Sequence, residues 1–260
     1  MRLSRYGPKA VLILAVLIAW TAACRLGIWS EYLLPSPGRV LKALEQMCLS
    51  GELADSIGVS LRRVAEGFFS AFGAALVLGI LNGLWPRLAD WSRPVIEFLR
   101  GIPPLSLIPL LILWCGIGER SKVLLIFLAA FFPMFLSVEK GISGCSRQLL
   151  EVGRSFRFTS WQLFRCIILP NAVPDILVGM QIGLGYSWRA IMGAEMIAAS
   201  SGLGYLILDA QYMARTDKVI GGILVIGVIG SFCSWLLERL IRPFLRNGAL
   251  YGRDPDKPIM

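Results

Sequence analysis

Residues Glu151–Pro170 read EVGRSFRFTSWQLFRCIILP. This is a basic, amphipathic interruption between two long apolar runs, and how it is read decides how the chain is read. Of 260 residues 56% are hydrophobic and 17% charged, with a mean hydropathy of +0.67. Ordinary soluble domains carry about 25% charged residues. The apolar runs are therefore read as spans of an all-α, multi-pass membrane protein, and the interruption as a loop in water.

Six runs stand out, at about 10–28, 67–84, 103–118, 123–138, 176–198 and 219–237. The third is the shortest and holds Pro103, Pro104 and Pro109, so a broken or kinked span is expected there. Placing the N-terminus in the cytoplasm puts sixteen Lys and Arg in inside segments and eight in outside ones. That bias favours both termini inside and the 151–170 loop in the cytoplasm. All spans are expected to form one domain over residues 10–245, with cytoplasmic segments 1–9 and 246–260. The tail from Arg253 is polar and expected to be disordered. The first run follows Arg2, Arg5 and Lys9 and ends Thr21-Ala22-Ala23-Cys24, like a signal peptide with a lipoprotein-type cysteine. Five later spans favour a retained helix. In the first outside loop, Ser36-Pro37 offers a helix start, and Val40, Leu41, Leu44, Met47 and Cys48 recur at helical spacing. An interfacial helix is expected there.

Composition also excludes chemistry. Histidine is absent, which removes His-based metal sites and His acid–base catalysis. The net charge of +9 is read as Lys- and Arg-rich inside loops rather than as a nucleic-acid surface. Six cysteines without a CxxC spacing give neither a disulfide framework nor a metal site.

Within the loop, Thr159 and Gln162 have capping-box spacing, and Trp161, Phe164 and Ile168 fall on one helical face. A first short helix is expected over 148–155 and a second over 160–167, with Pro170 forbidding a long continuation. The residues alone leave two readings open: a docking surface for a soluble partner, or an amphipathic helix resting on lipid headgroups.

The series WQLF-R-x-I-x-LP, preceded by a glutamate and small residues, resembles the "EAA" loop of binding-protein-dependent ABC importer permeases. LPSP (34–37), SLRRVAEGF (60–68), RGIPPLSLIPL (100–110) and SWRAIMGAEMIAASSGLGYLI (187–207) are similar to segments of the nitrate/sulfonate/taurine branch. The resemblance covers about residues 30–245. It implies a type I importer permease fold and a homodimer. It also implies a separate ATPase that binds ATP and Mg and grips the loop, and a soluble solute-binding protein outside. By position it assigns Glu151, Gly153, Trp161, Leu169 and Pro170 to coupling, with Phe164 beside them. The chain has no Gly-Lys pair and so no P-loop. Where the family has Gly-Ala, this chain has Arg157-Phe158. Arg157 is restricted at a tight bend, so a reshaped bend or an extended first helix is expected, along with a cation for an acidic partner.

The fifth run carries Trp188, Arg189 and Glu195. A charge at membrane depth costs about 2.5–3.5 kcal/mol on insertion scales and calls for a cavity or partner. Arg189 and Glu195 lie about 120° apart on a helix, too far for a pair, whereas Trp188 and Glu195 share a stripe. These three are candidate path residues, with Arg189 passing an anion. The competing reading is an ion pair of Arg189 with Glu97 or with Glu195 of the partner subunit. Gly79 with Gly83, and Gly179 and Gly183 with Ser187, are small-residue rows expected to be packing seams, and the fifth run is also expected at a subunit boundary. The branch implies small anions, sulfonate first, then taurine or nitrate, with pyrimidine-type vitamin precursors as an alternative. A secondary transporter needs no ATPase, but no internal repeat supports it. An intramembrane enzyme lacks clustered acids.

Overall fold

The computed structural model describes residues 7–27 and 29–248. The expectations for residues 1–6 and for the tail beyond 248 lie outside them. No strand occurs among the described residues. The helices are α1 (Gly7–Arg25), α2 (Pro37–Leu49), α3 (Glu52–Leu84), α4 (Pro86–Arg100), α5 (Ile108–Cys115), α6 (Glu119–Ser143), α7 (Arg147–Ser155), α8 (Ser160–Leu163), α9 (Leu169–Ala198), α10 (Leu203–Tyr212) and α11 (Thr216–Gly248). Four continuous stretches, built on α3, α6, α8–α9 and α11, are long and apolar enough to cross a membrane. The α4–α5 pair qualifies only jointly and is bent by 81°. The bend falls at residues 101–103, where the proline-rich third run begins, and not within the run, which passes from a 3-10 turn at Pro104–Leu107 directly into α5. The helices outrun the apolar runs at their polar ends: α3 begins at Glu52 rather than near residue 67, and α9 at Leu169 rather than near 176.

Two compact units divide the chain. One comprises residues 61–194 and the described residues from 230 to 248. Its centre is a seam between α3 and α6. A Cβ on Gly67 would lie 2.6 Å from Ile126, one on Gly79 2.7 Å from Val138, and one on Gly83 2.7 Å from Ile142. The offset is 59 residues at all three contacts, so the helices run parallel and the chain between them turns back. Phe68, Ala71 and Ala75 meet Ala130, Met134 and Phe135 in the same register. In contrast α9 runs antiparallel to α6. Gly141 sits by Ala172 and Asp175, Gly179 by Ser137, and Gly183 by Met134. The Gly179–Gly183 row therefore packs within this chain.

Each end of the α3–α6 seam carries a polar clamp. At one end the buried Arg63 donates Nε at 2.5 Å and a terminal nitrogen at 2.6 Å to the two oxygens of Glu119, which Lys122 meets at 3.2 Å. At the other, the Asn82 amide donates to Ser92 Oγ at 2.8 Å and to Glu139 at 3.2 Å. Nineteen helical residues, about 29 Å at 1.5 Å each, separate Arg63 from Asn82. That matches about 30 Å of hydrocarbon.

The other unit comprises residues 1–60 and 195–229. Here α2 begins at Pro37 as its start signal requires, but it is more than an interfacial helix. Val40, Ala43 and Met47 are buried, and Leu44 and Met47 pack against Gly221 of α11. Trp20 of α1 donates Nε1 to the Pro35 carbonyl at 3.2 Å. Lys218 pairs with Glu52 at 2.9 Å.

The seam makes a differential prediction. Gly79→Val forces a branched side chain into Val138, and overpacking typically costs about 1–3 kcal/mol. Gly73→Ala, which meets nothing within 4 Å, is neutral. Thermal unfolding in detergent, followed by size-exclusion chromatography, should lower the midpoint for the first change and leave it for the second.

Candidate functional site

The loop after α6 is a helical hairpin set by local chemistry. Ser146 caps α7, its Oγ accepting the Leu149 N–H at 3.4 Å. The helix ends in a Schellman motif. The Phe158 N–H donates to the Gly153 carbonyl at 3.0 Å and the Arg157 N–H to the Arg154 carbonyl at 2.9 Å. Arg157 takes the left-handed position with φ 55°. The first helix is thus not extended past Ser155, contrary to one expectation, and Arg157 itself makes the tight bend. Arg157 adopts the conformation glycine favours, at a cost of about 1–2 kcal/mol. The capping box then forms: Thr159 N–H donates to Gln162 Oε1 at 2.8 Å, and the Gln162 N–H to Thr159 Oγ1 at 3.3 Å.

Pro170 does not stop the second helix. Phe164–Ile168 forms a π-turn and continues into α9. The Leu169 N–H bonds to the Phe164 carbonyl, five residues back. The widened turn absorbs the proline, whose ring would otherwise strike the carbonyl four residues earlier. Gly153 lies where α7 crosses this turn. A Cβ there would sit 2.5 Å from Ile167 and 2.7 Å from Leu163. Phe164, Ile168 and Leu169 pack their inner face on Val138, Ile142, Ala172 and Ile176.

The outer face is open. Val152, Phe156 and Trp161 are 52%, 73% and 66% exposed, although Trp161 stacks on Phe164 at 5.7 Å. Glu151, Arg154, Arg157 and Arg165 are exposed beside them. The structure thus turns Gly153, Phe164 and Leu169 inward and Glu151, Arg157 and Trp161 outward. Val152 and Phe156 were missed in sequence, although their spacing of four residues is a helical signal.

The three α9 residues part company. Arg189 is exposed, with its guanidinium 5.8 Å from the Tyr186 ring centroid. Among the described residues it forms no ion pair. Val178, Ile182 and Tyr186 continue its exposed stripe along the helix. Trp188 is half-buried, and a Cβ on Gly230 of α11 would lie 2.5 Å from its Nε1.

Glu195 has no exposure and caps another helix. Its carboxylate accepts Ser60 Oγ at 2.8 and 2.9 Å and the Gly204 N–H at 2.9 Å. Ser60 in turn accepts the Leu203 N–H at 2.9 Å. Together they satisfy the first N–H groups of α10, where a helix dipole favours negative charge. Gly202, at φ 111°, has no room for a Cβ against that carboxylate. Ser60 lies 135 residues from Glu195, and no local signal joins them.

Comparisons with known proteins agree with this architecture. Residues 68–246 match the family described as binding-protein-dependent transport system inner membrane component. The putative aliphatic sulfonates transport permease protein SsuC of Bacillus subtilis (strain 168) is 39% identical over 244 residues, covering 93% of this chain and 88% of that protein. The taurine transport system permease protein TauC of Escherichia coli (strain K12) is 36% identical, covering 94% and 90%. Among solved structures, the inward-facing MetNI methionine ABC transporter shares the fold at a TM-score of 0.66 and 19% identity, covering 77% of this chain and 98% of that one. With 39% identity across nearly its whole length and a family match over most of it, this chain belongs to the binding-protein-dependent transport system inner membrane components, as a multi-pass permease subunit and not an enzyme.

Proposed function

We propose that this chain is the permease of an ATP-driven importer for a small anion, an aliphatic sulfonate before taurine or nitrate. The observation that carries the reading is the α7–α8 hairpin. It offers a basic, apolar outer face to a partner while its inner face is packed into the α6–α9 core. A separate ATPase, holding ATP and Mg, grips Glu151, Arg157 and Trp161. Its closure pulls on Phe164, Leu169 and Pro170, and through them on α6 and α9. In this reading six spans cross the membrane with both termini inside: α1, α3, α5 with its flanking turns, α6, α9 and α11. The parallel α3 and α6 support a return crossing between them. The chain works as a homodimer, and a soluble binding protein delivers the solute outside. The relatives named for sulfonate and taurine support the substrate class.

Arg189 is the candidate path residue. It is a cation on the exposed stripe of α9 without a carboxylate partner among the described residues. Two copies of that stripe would line a path whose positive charge attracts an anion. Glu195 holds α10 in place, and its effect on transport is indirect.

Two measurements test this. Affinity capture of the tagged protein from its native membrane should recover an ATPase. Glu151→Ala should lower that recovery at least about tenfold, the effect of one charge-assisted contact. Equal recovery would deny Glu151 a docking role, and no ATPase in either sample would overturn the importer. In uptake assays, Arg189→Gln should abolish transport at normal assembly. Glu195→Gln should lower the unfolding midpoint, by about 1–3 kcal/mol of stability, with uptake falling only as the folded amount falls.

A further inference from the structure

Helix α4 has two faces that the transport reading leaves unused. Leu88, Trp91, Val95 and Phe98 recur at helical spacing and are all exposed, Trp91 by 86%. No residue of α4 is buried. At fifteen residues, five of them charged, the helix cannot cross about 30 Å of hydrocarbon alone. Its 81° bend from the Pro104–Cys115 segment sets it across that segment's direction. A short basic helix with one apolar face and two flanking tryptophans, Trp85 and Trp91, has the make-up of an element lying in the membrane interface.

The opposite face of α4 closes a cavity. Arg93, Ile96, Glu97 and Arg100 fall at i, i+3, i+4 and i+7, about half a turn round from the apolar stripe. With Asn82, Leu136, Glu139, Lys140 and Ser143 they line about 310 Å³. That is room for a ligand of headgroup size. The cavity sits at the polar clamp that ends the α3–α6 seam, about 29 Å along α3 from the other clamp, a separation that would set it at the edge of the hydrocarbon. Its charges are of both signs: three cations, Arg93, Arg100 and Lys140, and two carboxylates, Glu97 and Glu139. Asn82 donates to Glu139 Oε1 at 3.2 Å, which leaves that carboxylate capacity for another donor. Lys140 contacts Asp175 at 3.9 Å.

We infer that this cavity is a phospholipid site selective for a headgroup with both a phosphate and a primary ammonium. The guanidinium groups of Arg93 and Arg100 meet the phosphate in forked hydrogen bonds. The ammonium donates to Glu97 and Glu139, which a quaternary trimethylammonium cannot do. The acyl chains leave the cavity past Ile96 and Leu136, the apolar side chains of its lining. A purely anionic lipid would satisfy the cations but leave the two carboxylates without a donor. The inference rests on membrane placement alone, and a failure to capture an ATPase would leave it standing.

Native mass spectrometry of the delipidated full-length chain tests it. Phosphatidylethanolamine and phosphatidylcholine of identical acyl chains compete for the protein, with phosphatidylglycerol as a third arm. Phosphatidylethanolamine should be retained at least about fivefold over either. Glu97→Gln, a change on an exposed side chain, should erase its advantage over phosphatidylcholine. Arg93→Gln with Arg100→Gln should weaken both lipids about tenfold, the scale of a lost charged contact. Soluble phosphoethanolamine and inorganic phosphate should compete only at far higher concentration. Equal retention of all three lipids by the unaltered protein would overturn the inference, as would retention indifferent to the arginine changes. Binding of soluble phosphoethanolamine or phosphate as tight as the lipid's would make the site one for free phosphate and overturn it too.

Discussion

The unit of residues 61–194 and 230–248 depends on the contact between α3 and α6. Three glycines of α3 admit Ile126, Val138 and Ile142 so closely that no side chain fits between. In hydrocarbon, burial of apolar surface does not drive helices together, and close packing of small residues takes its place. The register is held at both ends by a buried polar side chain of α3 with a carboxylate of α6, Arg63 with Glu119 and Asn82 with Glu139. Slippage would leave Arg63 without its carboxylate, which costs far more than a surface pair contributes. Two clamps about 29 Å apart thus fix the register of the pair. Because the pair is parallel, the chain must turn back between its members. That role falls to the bent segment through α4 and α5.

The same pair offers the route by which, in the proposed coupling, a force at the loop would reach the membrane. Val138 and Ile142, which receive Gly79 and Gly83 on one side, carry Phe164, Ile168 and Leu169 on the other. In the proposed coupling, motion of the hairpin would move α6 and the start of α9. The π-turn beneath it interrupts the regular hydrogen-bond ladder of an otherwise continuous helix. Such turns lack the regular four-residue ladder and are frequent at functional sites. Arg157 stores strain at the tip of the same hairpin and still closes both Schellman bonds. The caps that fix this hairpin are local.

What could be read in the sequence follows from the range of the forces involved. The hairpin was legible because its caps act over three to five residues: Thr159 with Gln162, and Gly153 beneath the turn. The glycine rows were legible as seams, though not their partners. Helix α4 went unread because a search for spans passes over a segment with five charges. The continuation through Pro170 was missed because proline stops a regular helix, and only the π-turn shows how it was accommodated. The Ser60–Glu195 cap was out of reach. It joins residues 135 apart and makes a structural acid of a residue whose depth in the membrane suggested a path.

The most direct test of the account is the sidedness of the α3–α6 pair. In a background lacking the six native cysteines, single cysteines at Asp90, Ser155 and Arg120 would be labelled with a membrane-impermeant maleimide. Intact cells and inside-out vesicles would be compared. Parallel helices with a return between them require Asp90 and Ser155 to label only in inside-out vesicles, and Arg120 only in intact cells. If Asp90 and Ser155 label from opposite sides, the chain does not return between α3 and α6. The parallel seam, and the coupling route built on it, would then be wrong.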